Sequence, residues 1–266
     1  MIEIVHWALA EDIGSGDITT TLCVPADRKA VARMIARQSL VVAGIELLGE
    51  IFAGCEVSID QPSGSPVEPD TELATISGDA RTLLTRERTA LNFVQRLSGV
   101  ATLARTYVKA VEGTKCRILD TRKTTPGLRQ LEKMAAAAGG VTNHRKGLYD
   151  AVLIKNNHIT AAGGVRAALE ATRGADVFVE IEVRTRAELD EALAWGAKNL
   201  LLDNLTPAEA REWIGYIAGR ASVELSGGIT LETVRAYAEA GADFISCGAI
   251  THSAQAVDIN LRLQLV

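Results

Sequence analysis

The chain has 266 residues, of which 47% are hydrophobic and 23% charged, and its net charge is -5. This composition is that of a globular protein with one large or two modest domains. The acidic balance and 4% aromatic content exclude a dedicated nucleic-acid binder, which usually has a basic face and stacking aromatics. No apolar run reaches the ~20 residues of a membrane span, and the start resembles no signal peptide. We therefore expect a cytoplasmic protein without membrane or nucleic-acid partners.

The N-terminal part of the chain predicts a small α+β domain. A helical spacing of apolar residues at 4–9 is followed by strand-like runs at 30–37, 56–59 and 72–76. Residues 79–113 return to a helical pattern, and Gly99 predicts a break there, giving a helical pair that joins two domains. The four cysteines form no zinc-ligand pattern, so we expect packed free thiols.

From residue 115 onward, short apolar strands alternate with amphipathic helical segments, which predicts a parallel sheet. The strands are expected at Arg117–Asp120, Ala151–Ile154, Val177–Val183, Asn199–Leu202, Val223–Leu225 and Phe244–Cys247. The helices between them are expected at Leu128–Ala138, Val165–Ala171, Ala187–Trp195, Pro207–Ile217 and Leu231–Ala240.

Polar or glycine residues follow every one of these strands. In a βα barrel all carboxyl strand ends meet at one mouth, whereas an open sheet brings together only those near its switch point. We therefore predict an α/β fold: a six-stranded βα barrel, which need not be complete, with an N-terminal α+β sandwich domain. The N-terminal domain and helical joint are placed at residues 1–98 and the catalytic barrel at 99–253. The tail, about 254–266, is expected to pack back on the N-terminal domain.

Positive charge is concentrated between Arg117 and Lys155, where eight Lys or Arg accompany three acidic residues. Arg122, Lys123 and Lys155 follow apolar strands that would carry them to the barrel mouth, and His144-Arg145 adds donors from a loop. Such a cluster suits carboxylates or phosphates. Three other cations are interpreted as a solvated face: Arg129, Lys133 and Lys146.

Two acids, Glu182 and Asp203, stand at the ends of successive strands and oppose this basic wall. They suit Mg²⁺, which prefers one or two carboxylates together with substrate phosphates. A structural salt bridge to the basic wall explains the pattern equally well. Glu180 shares a strand face with Glu182, and the pattern leaves open which of them points inward.

Two loops near the end of the chain predict a phosphate site. Ser226-Gly227-Gly228 follows a strand and precedes a helix, where glycines allow a close approach to an anion and free amides can bind it. The segment Gly248 to Ser253 follows the next strand and can close the same site, as the last two barrel loops often do.

Joint motifs along nearly the whole chain carry a resemblance to a known family. They are Asp120 to Arg129, Leu131-Glu132-Lys133, Gly139-Gly140, Asn143-His144-Arg145, Leu153 to His158, Glu11 to Thr19, Glu87-Arg88-Thr89, Leu202-Asp203-Asn204, Ser226-Gly227-Gly228 and Gly248 to Ser253. In these motifs the chain closely resembles the nicotinate-nucleotide pyrophosphorylase (carboxylating) family, also called quinolinate phosphoribosyltransferases.

The resemblance implies an enzyme that joins quinolinate to 5-phosphoribosyl 1-pyrophosphate with Mg²⁺. The products are nicotinate mononucleotide, pyrophosphate and CO2, in de novo NAD synthesis. It also implies a homodimer with shared active sites, or a larger assembly such as a hexamer of dimers. Catalytic roles are then implied for Lys123, Lys155, Glu182 and Asp203, the last two also facing the metal.

The same resemblance implies the substrate-binding residues. The quinolinate side would comprise Thr121, Arg122, Lys123, His144, Arg145 and Lys155, with Arg88 entering from a second subunit. Glu182 and Asp203 would face the ribose. The phosphate side would comprise Ser226, Gly227, Gly228, Gly248, Ala249, Ile250 and His252.

Three positions depart from the family's commonest pattern: Met134, Val141 and Asn156. Other functions compete with this interpretation. A related phosphoribosyltransferase acting on nicotinate or another ring, or a paralogue linked to molybdenum transport, would need fewer pocket cations. A barrel aldolase would use Lys155 as a Schiff base, which requires a site that lowers its pKa. A non-catalytic anion-binding protein would leave Glu182 and Asp203 unexplained.

Overall fold

The computed structural model describes residues 2–266, which form eleven α-helices, one short 3-10 helix (Ile45–Leu47) and twelve strands. The helices are α1 (Ile2–Ile13), α2 (Ile18–Cys23), α3 (Leu48–Ile51), α4 (Ala80–Ala110), α5 (Arg129–Ala138), α6 (Asn156–Ala162), α7 (Val165–Ala171), α8 (Arg186–Ala194), α9 (Pro207–Ile217), α10 (Val234–Glu239) and α11 (Ala249–His252). The strands are β1 (Lys29–Ala36), β2 (Leu40–Val41), β3 (Glu56–Ile59), β4 (Pro66–Val67), β5 (Glu72–Asp79), β6 (Arg117–Leu119), β7 (Val152–Ile154), β8 (Val179–Val183), β9 (Asn199–Asp203), β10 (Ser222–Ser226), β11 (Phe244–Ser246) and β12 (Ile259–Leu265).

These elements form two compact units. The N-terminal unit comprises residues 2–105, 124–140 and 250–266, and the parallel-sheet unit comprises residues 106–123 and 141–249. Both units are built from discontinuous segments. The predicted domains, residues 1–98 and 99–253, are continuous segments, and their boundaries stay a prediction. None of the helices among residues 2–266 is long and apolar enough to cross a membrane.

The N-terminal unit is built on a four-stranded sheet in the order β12-β1-β5-β3. Strand β1 alternates between buried and more exposed residues, as expected for a sheet with one face on the core. The C-terminal strand β12 pairs antiparallel with β1 along its whole length, from Ala30 with Leu265 to Ala36 with Ile259. Strand β12 is therefore part of this sheet, although it is distant in sequence from the other three strands.

The predicted helical break at Gly99 is wrong, because α4 runs unbroken from Ala80 to Ala110. Gly99 instead allows another segment of the same unit to pass close by. A Cβ atom at this position would lie 1.9 Å from the backbone oxygen of Gln255. The helix also anchors that segment, since Gln95 O accepts a hydrogen bond from Val257 N at 3.2 Å. The glycine thus serves close packing against the helix.

We expect Gly99→Ala to lower the free energy of unfolding by about 2 kcal/mol, because overpacking outweighs the gain in helix propensity. Gly215→Ala in α9 is a matched control, since nothing lies within 4 Å of its added Cβ atom. That control should raise the free energy of unfolding by about 0.5–1 kcal/mol. Urea denaturation of both variants measures these changes, and a stabilised Gly99→Ala would contradict the close approach.

The parallel-sheet unit contains the six predicted strands, in the order β6-β11-β10-β9-β8-β7. Each pair of neighbouring strands in this order is parallel, so the carboxyl ends of the strands meet at one edge. Within residues 2–266 the outer strands β6 and β7 form no ladder with each other, although Thr142 bridges to Leu119 in β6. The prediction of an α/β fold with a six-stranded parallel sheet, arranged as a βα barrel that need not be complete, and an N-terminal α+β domain is confirmed.

Two predictions about individual residues fail. The sequence pattern places Lys133 on a solvated face, but this residue is only 3% exposed, because α5 buries the consecutive residues 131–133.

Cys116 and Cys247 are packed as expected, and burial raises the pKa of each thiol to about 12. Cys23 is exposed, because it ends the short surface helix α2.

Candidate active site

A cavity of about 450 Å³ opens at the carboxyl edge of the parallel sheet. Most of the residues predicted for the site line it: Thr121, Arg122, Lys123, His144, Arg145, Lys155, Glu182, Asp203, Ser226, Gly227 and Gly228. Other lining residues include Asn156, Arg184, Asn204, Glu224 and Ser246. The sheet topology explains this convergence, since side chains distant in sequence follow strands that end together.

The remaining predicted residues lie elsewhere. Arg88 is exposed on α4, in the N-terminal unit. Ile250 and His252 belong to the same unit, in α11. Gly248 and Ala249 end the parallel-sheet unit, and among residues 2–266 they are not part of the cavity lining. The structure therefore brings the first of the two loops, Ser226-Gly227-Gly228, to the cavity wall, and the phosphate-binding role of both loops stays a prediction.

Hydrogen bonds on both sides hold Arg145 in place at the wall of the cavity. Its backbone is fixed by a hydrogen bond to His144 Nδ1 at 2.7 Å, and its guanidinium donates to Ala151 O at 3.1 Å. Its Nε atom is buried with no hydrogen-bond partner within the described chain. Burial, and secondly the positive charge of Arg122, lower the pKa of Arg145. A buried donor beside a like charge is a position at which an anionic ligand is stabilising.

Asp120 holds the loop that carries these groups. It is fully buried, and its carboxylate accepts hydrogen bonds from Asn143 Nδ2 at 2.7 Å and from His144 N at 2.8 Å. The Nδ1 atom of His144 accepts from the amide of Arg145, so the ring proton is assigned to Nε2. That atom points away from the loop.

A buried cluster lies at the base of the cavity, formed by His144, Glu180 and Glu224. His144 Nε2 is 3.4 Å from Glu180 Oε2 and 3.5 Å from Glu224 Oε2. Both glutamates are 3% exposed. Burial and the charge of Glu180 raise the pKa of Glu224 to about 7. Near neutral pH, Glu224 therefore retains a proton in a large fraction of the molecules, whereas an isolated glutamate would have released it.

Lys155 and Glu182 link the basic and acidic sides of the cavity. Lys155 precedes α6, where its backbone amide donates to His158 Nδ1 at 2.9 Å. Its ammonium lies 3.7 Å from Glu182 Oε2. The question left open by the sequence is answered, because Glu180 and Glu182 are both buried on the inner face of β8.

The acidic corner combines Glu182 and Asp203. Arg184 Nη2 lies 2.8 Å from Glu182 Oε1 and 3.5 Å from Asp203 Oδ2. The shorter contact lacks hydrogen-bond geometry, so Glu182 Oε1 is buried without a hydrogen-bond donor in the described residues. Asp203 Oδ2 accepts from Asn204 Nδ2 at 2.6 Å. Two adjacent carboxylates, one with an unsatisfied buried oxygen, are suitable ligands for a hard divalent cation.

Position 227 requires a glycine, because its backbone lies close to Asn204. A Cβ atom on Gly227 would lie 2.3 Å from Asn204 Oδ1, and the backbone has φ of +100°. A hydrogen bond from Asn204 N to Ser226 O at 2.9 Å joins the segments that follow β9 and β10. The glycine loop is thus packed directly onto the acidic corner, and its amides border the cavity.

Asn156 is the one departure from the common family pattern that lines this cavity. Val141 is buried and Met134 is largely exposed. Sequence reasoning missed Arg184, Glu224 and Ser246 as lining residues. For Arg184 a signal existed, because it continues the alternate positions Glu180 and Glu182 beyond the end of β8.

Comparison with known proteins gives full-length matches. The models of the N-terminal and C-terminal domains of quinolinate phosphoribosyl transferase match residues 17–98 and 100–262. The chain is 41% identical over 271 residues to a nicotinate-nucleotide pyrophosphorylase [carboxylating] of Mycobacterium leprae (strain TN), covering 97% of this chain and 95% of that protein. It is 38% identical over 262 residues to a probable nicotinate-nucleotide pyrophosphorylase [carboxylating] of Bacillus subtilis (strain 168), with 96% and 90% coverage.

A solved structure agrees with these relatives. The nicotinate-nucleotide pyrophosphorylase from Francisella tularensis matches with a TM-score of 0.94 at 37% identity, covering 99% of this chain and 95% of that one. The similarity therefore extends over both units and includes every strand that contributes to the cavity.

Proposed function

The chain belongs to the quinolinate phosphoribosyltransferase family, and we propose that it carries out the reaction of that family in the cavity at the strand ends. It transfers the phosphoribosyl group of 5-phosphoribosyl 1-pyrophosphate to quinolinate with decarboxylation, in NAD biosynthesis. The observation that carries the location is the buried Nε atom of Arg145, which has no hydrogen-bond partner in the described chain and lies in a side chain close to the positive charge of Arg122. A dicarboxylate supplies the two negative charges that such a pair needs.

In this proposal Arg122, Arg145 and Lys155 bind the carboxylates of quinolinate, with Thr121 and Lys123 beside them. The planar guanidinium groups hold a carboxylate in a fixed orientation, which directs the ring nitrogen toward the anomeric carbon. His144 has its Nε2 proton directed toward Glu180 and Glu224, so we assign it to the support of this wall.

Glu182 and Asp203 face the ribose in the same proposal. As pyrophosphate leaves, positive charge develops on the sugar, and a nearby carboxylate stabilises that charge. After the bond to the ring nitrogen forms, the adjacent carboxylate is lost as CO2, and the electron pair of the broken bond stays on the ring carbon, where the neighbouring positive nitrogen stabilises it. A proton taken up from solvent at that carbon then completes nicotinate mononucleotide. A cavity that excludes water favours this loss, because the carboxylate is less well solvated there.

We further propose that Glu182 and Asp203 hold Mg²⁺. The donor set fits, since it offers two carboxylates and a buried oxygen, Glu182 Oε1, that accepts no hydrogen bond in the described chain. When bound, the ion neutralises charge on the leaving pyrophosphate. The amides of Ser226, Gly227 and Gly228 border the same corner and are placed to bind a phosphate.

A homodimer with shared active sites stays part of the proposal, with Arg88 reaching the cavity of a second copy. Two observations support an association. Arg88 is exposed in the single chain, and the N-terminal unit exposes Trp7 by 64% and Leu22 by 80%. Grouped exposed apolar residues mark surfaces that contact another protein, and α1 and α2 together expose Ile2, Trp7, Ile18 and Leu22. Sedimentation velocity would measure the state of assembly. A cytoplasmic location likewise stays a prediction.

The proposal is tested by incubating the purified chain with quinolinate, 5-phosphoribosyl 1-pyrophosphate and Mg²⁺. We expect nicotinate mononucleotide, CO2 and pyrophosphate in equal amounts. Nicotinate in place of quinolinate should give little turnover, because a monocarboxylate leaves one cation of the wall without a partner. Turnover with nicotinate but none with quinolinate would reject the proposal.

Borohydride trapping with a sugar phosphate tests the aldolase alternative, which is disfavoured because the Lys155 ammonium faces Glu182.

A further inference from the structure

Arg184 lies in the acidic corner formed by Glu182 and Asp203. It follows β8 directly, and its Nη2 atom lies 2.8 Å from Glu182 Oε1 and 3.5 Å from Asp203 Oδ2. One guanidinium nitrogen therefore contacts both carboxylates that the proposed function assigns to the metal. Its positive charge compensates them where a divalent cation would otherwise do so.

The contact between Arg184 and Glu182 depends on charge more than on directed bonding. Glu182 Oε1 receives no hydrogen bond from the described chain despite the 2.8 Å separation. The Arg184 side chain is 46% exposed, whereas Glu182 is 4% exposed. A half-exposed side chain without an aligned hydrogen bond can leave its partner at modest cost, because water solvates the released guanidinium. Glu182 is fixed in a buried strand and cannot follow it.

We propose that Arg184 is a positioning residue that acts as a placeholder cation: it compensates the charge of Glu182 and Asp203 and holds them in place, and a divalent metal must displace it to bind them. The inference rests on the proposed function, since it concerns the same corner. A guanidinium and a metal ion repel each other, so both cannot contact the same carboxylates at these distances. Arg184 and the metal therefore compete.

Lys155 does not fill the same role. Its ammonium lies 3.7 Å from the other oxygen of Glu182, Oε2, and within residues 2–266 it forms no ion pair with Asp203. The oxygen that Arg184 contacts, Glu182 Oε1, faces the corner that it shares with Asp203. Removal of Arg184 alone should thus expose a metal site of two carboxylates while the basic wall stays intact.

The test is a titration of the substrate-free protein with Mn²⁺ alone, in which free Mn²⁺ is measured by electron paramagnetic resonance. We expect Arg184→Gln and Arg184→Ala to bind Mn²⁺ about tenfold more tightly than the unmodified chain, equivalent to ~1.4 kcal/mol. Adding Glu182→Gln to Arg184→Gln should abolish that gain. Arg186→Gln is the matched control, because Arg186 carries the same charge two residues away and contacts Asp190 and Glu212 instead.

A melting experiment separates this role from a purely structural ion pair. Without metal, Arg184→Gln should melt at a lower temperature, since buried Glu182 loses its counter-charge; Mn²⁺ should restore the melting temperature. A structural ion pair would give a loss that Mn²⁺ does not restore. Equal Mn²⁺ affinity in Arg184→Gln and the unmodified chain, or an equal gain in Arg186→Gln, would overturn the inference. Turnover of quinolinate by the unmodified chain tests the proposed function separately.

Discussion

Arg145→Ala is expected to lower kcat/KM for quinolinate by a factor of about 100 to 1000. This corresponds to ~3–4 kcal/mol, the range for removal of one partner from a desolvated, charge-assisted contact. Steady-state kinetics at saturating 5-phosphoribosyl 1-pyrophosphate measure the change. Arg145→Lys should recover only part of the loss, because an ammonium lacks the planar pair of donors that binds a carboxylate bidentately.

The same substitution should leave the folded state intact. Burial and the charge of Arg122 already disfavour the charged Arg145 guanidinium in the free protein, as the lowered pKa indicates. The melting temperature of Arg145→Ala should therefore stay unchanged or rise. Arg117→Ala is the control, because Arg117 is exposed at the opposite, amino-terminal end of β6. A similar loss of kcat/KM in that control, or none in Arg145→Ala, would exclude a specific carboxylate contact.

The convergence of the site residues was predictable from the sequence, and the reason is geometric. Arg122, Lys155 and Asp203 stand at the ends of strands whose apolar runs are clear, and parallel strands end at one edge. Their contacts were not predictable. That Lys155 and Arg184 approach different oxygens of Glu182 depends on rotamers and on the spacing of neighbouring strands, which periodicity does not encode.

Gly99 and Lys133 show where local patterns mislead. A glycine within a helical pattern commonly marks a break. Here the helix continues, and position 99 is a glycine because the backbone of Gln255 leaves no room for a Cβ atom. A lysine in a basic segment commonly faces solvent, but α5 buries several consecutive residues and Lys133 with them. Both outcomes depend on segments distant in sequence, so a single sequence read locally cannot provide them.

Glu224 could have been recognised, because it is an acidic residue in the middle of an otherwise apolar and small strand, Ser222–Ser226. Its position beside Glu180 and His144 could not have been predicted, because that requires the register of β8, β9 and β10. Once the three strands are aligned, Glu180 and Glu224 both reach His144. Buried like charges at such distances favour retention of a proton.

Glu224→Gln is expected to change how stability depends on pH. Burial, and secondly the charge of Glu180, raise the pKa of Glu224 from 4.5 to about 7 in the folded chain. Below pH 4.5 the carboxyl is protonated in both states. Between the two pKa values only the unfolded chain releases the proton, so the free energy of unfolding falls as pH rises from 4.5 to 7. Above pH 7 the contribution of this group no longer changes, because the carboxyl is ionised in both states. The fall attributable to this group is about 3 kcal/mol.

The amide introduced by Glu224→Gln cannot ionise, so the free energy of unfolding of this variant should lack the fall between pH 5 and pH 8. Urea denaturation at both values measures the difference. Glu170→Gln is the control, because Glu170 is exposed and pairs with Arg166; its pH profile should match that of the unmodified chain. Above pH 7 the unmodified chain also places a second negative charge at the base of the cavity, so KM for quinolinate should rise with pH. That rise should be absent in Glu224→Gln, since the amide adds no charge near the dicarboxylate. An identical rise in both proteins would contradict the raised pKa of Glu224.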